Sequence, residues 1–161
     1  MPVGFTLLDG WTIATDEPGT VGLQLGDAGA AIVDLESLTV RGATSDAPWQ
    51  PWPDDIHAWM AGRPEFRPAA ARAGVVGGLP AVIVDADYVR EKITDPGDWL
   101  KFGTGQSDGL NLKGSWPGRV RIIVVHTSPT SGVVVVMDAP LDVFDDASVS
   151  LDRVLSTLTF K

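Results

Sequence analysis

At 161 residues the chain has the length of a single domain, at roughly 100 to 200 residues each, and enough of it to bury a sizeable core. Its 21 acidic and 12 basic side chains leave a formal charge of −9 with no Lys/Arg cluster, which argues against nucleic acid or an anionic membrane as partner, since both require a concentrated positive surface. Cysteine is absent, removing disulfides, thiolate nucleophiles and cysteine metal sites together. No apolar run approaches the ~20 residues of a membrane-crossing helix, so a soluble protein without membrane insertion is expected.

The opening MPVGFTLLDGW has neither a basic n-region nor a long apolar h-region, so the chain as given is expected to be cytoplasmic; an exported protein whose leader has been removed would read the same. Residues 4 to 41 predict a meander of short strands, GFTLL, WTIAT, TVGLQL and AAIVDL, separated by the turn formers DG, DEPG and GDAG. In the next stretch Pro48, Pro51 and Pro53 hold an extended approach, and a helix of about three turns is expected from Pro53. Asp54 and Asp55 complement its positive end, while Ile56, Trp59 and Met60 form its apolar stripe.

Two further strands, Pro68 to Val76 and Ala81 to Val89, flank the turn GGLP. The second sets Asp85 and Asp87 on a polar side for which solvation is the simplest reading. Residues 90 to 118 are glycine-rich without sustained periodicity and read as a long excursion, of the kind that is either functional or merely mobile. The clearest signal follows. Arg119 to Thr127 and Val133 to Asp138 flank the turn SPTS and form a hairpin apolar on both faces, which places it mid-sheet with both faces covered. Phe144, Ala147, Leu151, Val154, Leu155 and Leu158 then keep to one side of a 3.6-residue repeat, with Asp142 or Asp145 as candidate caps and a brief closing strand at Leu158 to Phe160. The sum is one α+β domain over 1–161, a central antiparallel β-sheet with helices packed on its faces as a three-layer α/β/α sandwich.

Several of these pieces, in this order, resemble the superfamily of the PsbP extrinsic subunit of photosystem II, which also includes a nuclear release factor for the GTPase Ran and many bacterial proteins. They are the opening FTLLDGW with Phe5, Gly10 and Trp11, the DDIHAWMAGRPEF segment with Asp54, Asp55, Trp59 and Pro64, the GGLPAVIVD entrance with Gly78 and Pro80, the valine-rich hairpin and the closing VLSTLTF. The resemblance implies an antiparallel sheet between helical layers, a binding or assembly role without catalysis, and in bacteria often export or lipid anchoring. As given, the chain is expected to depart from the exported pattern, since neither a leader nor a lipid-accepting cysteine is read in it. The superfamily supplies no catalytic residue to transfer.

Six tryptophans stand against one tyrosine. Trp11 and Trp59 read as core. Trp49 and Trp52 lie in the proline-rich approach, and Trp99 and Trp116 bracket the glycine-rich loop. As rigid contact surface with one donor each, these four are candidate ligand- or partner-binding residues; the alternative is that they pin loops onto the sheet. His57 and His126 are too few for a zinc site without cysteine unless carboxylates complete it, and no metal or cofactor is expected. GTGQSDG lacks the GK[ST] ending of a phosphate loop. The leading expectation is a non-enzymatic binding module for a partner protein or a small apolar ligand, with residues 48 to 53 and 97 to 118 as its surface. The alternatives are a small hydrolase or lyase using His57 with Asp54 or Asp55, and an assembly protein pairing through a sheet edge. No GxSxG elbow frames a serine.

Overall fold

A computed structural model of the chain describes residues 3–41, 47–89, 92, 98–102, 109–111 and 117–160. The elements run β1 (Val3–Gly4), β2 (Thr12–Glu17), β3 (Thr20–Leu25), β4 (Ala28–Asp34), a 3-10 turn (Leu35–Ser37), β5 (Leu38–Val40) and β6 (Gln50–Pro51). After them come α1 (Ile56–Ala61), β7 (Phe66–Pro68), β8 (Arg72–Val76), β9 (Leu79–Tyr88), β10 (Asp98–Phe102) and β11 (Gly109–Asn111). The chain ends with β12 (Gly118–His126), β13 (Gly132–Pro140), α2 (Leu141–Ser156) and β14 (Thr159–Phe160).

The fold is α+β around a central antiparallel sheet in the order β2-β3-β4-β13-β12-β9-β7, with β8 also paired to β9. The β12–β13 hairpin lies at its middle, as its two apolar faces require. Ile83, Ile123, Val135 and Ile32 form one cross-strand row, and they are buried against α2, Trp11 and Leu158. The neighbouring row, Val84, Ile122, Val136 and Ala31, is buried on the opposite side with Ile56 and Met60 of α1, Leu38 and Val40 of β5 and Leu100 of β10. One face therefore carries a helix. The other carries a mixed layer, because α1 has only six residues and a small sheet, β11-β10-β5-β6, stands beside it.

Local chemistry explains where the chain differs from expectation. α1 begins at Ile56 rather than Pro53, since Asp55 is its N-cap and its side chain accepts a hydrogen bond from the Ala58 amide at 2.9 Å. Neither Asp142 nor Asp145 caps α2; Pro140 precedes its first turn, and the Leu141 amide donates to the Pro117 carbonyl at 3.2 Å. From the opening GFTLL only Gly4 is in a strand, in β1, which pairs with β14 rather than with the meander. The glycine-rich excursion is not wholly outside the core: β10 pairs with β5 and buries Leu100.

Asp85 and Asp87 are not left to solvent. They stand directly opposite Arg121 and Arg119, with Asp85 accepting from Arg121 at 2.8 and 3.0 Å and Asp87 from Arg119 at 2.6 Å. Both guanidinium groups lie within about 5.4 Å of the Phe144 ring centre, a cation–π placement that ties α2 to this end of the sheet.

Candidate functional site

The proline-rich approach to α1, the 3-10 turn, the end of β12 and the turn after it enclose a cavity of about 630 Å³. Its floor is apolar: Val82 and Val124 are cross-strand partners on β9 and β12, and Leu38 and Ile56 are core residues beside them. Trp52 forms part of the wall and is half-buried against the same core. Polar groups line the remainder, namely Glu36, Asp54, Asp55, His57, His126 and Thr130. The volume lies within the roughly 300–1,000 Å³ of small-molecule sites, and an apolar floor with a few polar side chains is their usual composition.

Two of the polar groups already have protein partners. Asp55 caps α1, and Glu36 Oε1 accepts from the Ser131 hydroxyl at 2.7 Å, which fastens the 3-10 turn to the β12–β13 turn. His57 makes no side-chain hydrogen bond to a carboxylate or hydroxyl among the described residues. Nor does any group of three or more His, Asp and Glu side chains among them offer a metal site. A second cavity, about 700 Å³ beside α2 and the β3–β4 turn, has neither tryptophan nor histidine, and its Arg153 is held by Asp9 at 3.0 Å.

No protein-family model matches the chain, and no curated protein matches it. Among solved structures it is similar to LpqN of Mycobacterium tuberculosis, described as involved in cell envelope biogenesis, at 14% identity over 98% of this chain and 82% of that one, with a TM-score of 0.51. It is also similar to the cyanobacterial PsbP of Synechocystis, at 12% identity over 99% of this chain and 86% of that one, with a TM-score of 0.45. The chain shares its fold with LpqN. At such identities the likeness reaches the fold alone and transfers no site residue.

On this frame the four candidate tryptophans separate. Trp52 lines the cavity. Trp49 stands apart from it, 37% exposed, with the Arg41 guanidinium 4.7 Å from its ring centre. Trp99 lies on β10, with its side chain outside the described residues, and Trp116 lies outside them altogether, as does GTGQSDG up to Gly109. The two segments expected to share a surface do meet as backbone, for Gln50, Val40 and Leu100 are neighbours across β6, β5 and β10. Trp11 is core and donates its indole N–H to Ser150 at 2.9 Å. Trp59 is only half-buried, beside Phe66 with Arg63 over its ring. The contributions of Glu36, His126 and Thr130 to the cavity were not read from the sequence; a histidine ending a strand beside a turn was the only local sign.

Proposed function

We propose that this protein is a non-enzymatic binding module that takes a small apolar ligand in the cavity beside Trp52. The observation that carries the reading is the composition of that cavity, an apolar floor of Val82, Val124, Leu38 and Ile56 beneath a half-buried indole and a polar rim. A nucleophile with its base, and a base with the group that orients it, would be expected within hydrogen-bond reach of one another. The His57 side chain has no such partner among the described residues, and Asp55 is engaged as a helix cap. A hydrolase or lyase is the second reading, favoured by the shared lining position of His57, Asp54 and Asp55; loss of a discovered activity in His57→Ala is its signature.

Native mass spectrometry of the freshly purified protein, with Trp52→Ala alongside, tests the leading reading. The expected result is a discrete one-to-one adduct on the wild type that the folded variant lacks. A bare protein whose tryptophan emission also ignores saturating 1-octanol contradicts it.

A further inference from the structure

Beyond the cavity mouth the sheet face is apolar and exposed at Val75 and Val82. Ala73 and Val75 of β8 stand directly opposite Val82 and Pro80 of β9, so all four share the face that Val82 presents to the cavity. Val75 is 74% exposed and Val82 46%, and Ala71, just before β8, also lines the cavity. Val82 thus belongs to both the floor and the strip. An extended apolar track leads away from the enclosed volume along the edge of the sheet.

Charge gives the track a direction. Glu36, Asp54 and Asp55 line the cavity, and no lysine or arginine is among its described lining residues. Elsewhere four arginines are matched to acids: Arg72 and Arg121 to Asp85, Arg119 to Asp87, Arg153 to Asp9. The three cavity carboxylates have no cationic partner among the described residues, and Asp54 has no side-chain hydrogen bond there either. Such a rim favours a positive ligand group and opposes a negative one.

We infer that the cavity and the strip form one site for a linear aliphatic cation, its charged head among Glu36, Asp54 and Asp55 and its tail along Val82, Pro80, Ala73 and Val75. The inference rests on the binding-module reading and adds the ligand's charge and shape. Titration calorimetry of the full chain with octyltrimethylammonium, 1-octanol and octanoate, which share a tail and differ in charge, tests it. The cation is expected to bind about tenfold tighter than octanol, the combined effect of two or three exposed charge pairs, and octanoate more weakly than either. Glu36→Gln with Asp54→Asn removes most of the cation's advantage over octanol, with Asp55 accounting for what remains, whereas Val82→Ser weakens both. Octanol binding with no preference for the cation overturns the inference and leaves the binding module standing. Failure of all three probes overturns both. Sedimentation as a dimer that octyltrimethylammonium does not dissociate assigns the strip to a second copy and overturns the inference as well.

Discussion

Asp85 sits between two strands that each bring it an arginine, Arg121 from β12 and Arg72 from β8. Burial pushes its carboxyl up, but hydrogen bonding and attraction from Arg121, and then from Arg72, outweigh this and hold its pKa below the usual 3.8. A carboxylate depressed in the folded state stabilises the fold above its unfolded pKa, and that contribution is lost as pH falls through the folded value. Urea-unfolding free energies are therefore expected to decline from about pH 4 downward, and Asp85→Asn to flatten that decline. At neutral pH the same substitution should cost about 1–3 kcal/mol, because the buried Arg121 loses its two-bonded partner. An acid profile as steep as the wild type's contradicts this role. At the start of α1, Asp55→Ala should cost about 1 kcal/mol and Asp55→Asn only a few tenths, read as shifts in the urea midpoint. That Asp54 and Asp55 serve a helix start was legible because that chemistry is local, although the expected start at Pro53 concealed that Asp55 is the cap itself. The pairing of Asp85 was not, since the register of β9 on β12 joins residues 36 apart, and alternation reveals a strand's polar side without revealing what faces it.

Periodicity made the β12–β13 hairpin and α2 visible, since each repeats one pattern for long enough to identify its buried faces. The central hairpin is covered on both sides, so Ile122→Ala and Ile123→Ala, which point to opposite cores, should each cost about 2–5 kcal/mol. Ile13→Ala at a half-exposed position of β2 should cost within about 0.5 kcal/mol. A near-neutral result at either central isoleucine would mean that one face is wet. The β8–β9 turn offers a finer contrast. Gly77 and Gly78 have φ of +57° and +80°, the pairing of a two-residue hairpin turn. A Cβ at Gly77 would lie 2.6 Å from the Phe160 ring and 2.9 Å from the Leu158 carbonyl, whereas one at Gly78 meets nothing within 4 Å. Gly77→Ala should therefore lower the thermal midpoint clearly more than Gly78→Ala, which carries only the backbone strain of about 1 kcal/mol. Short elements were read less well: α1 was expected but runs for less than two turns rather than three, and β10 hides in a glycine-rich stretch where only its pairing with β5 makes it a strand.

For the molecule as a whole, the sheet sets the site. β12 and β9 supply the cavity floor, the β12–β13 turn and the 3-10 turn supply one wall, and the segment before α1 supplies the other with Trp52. Within the segment of residues 52 to 57 in that candidate site, Trp52 was expected as a binding residue and His57 with Asp54 or Asp55, separately, as a catalytic alternative. Glu36, His126 and Thr130 come from two other segments and meet it only through tertiary folding, so no spacing along the chain could display them. The fold supplies the frame, and the chemistry belongs to this chain's own side chains. The most direct test is an NMR titration with 1-octanol, following the indole N–H signals and the ring protons of both histidines. Saturable shifts at Trp52, His57 and His126, with Trp11 unmoved in the opposite core, are the predicted result; signals that stay fixed at those three residues while any other region responds contradict the account.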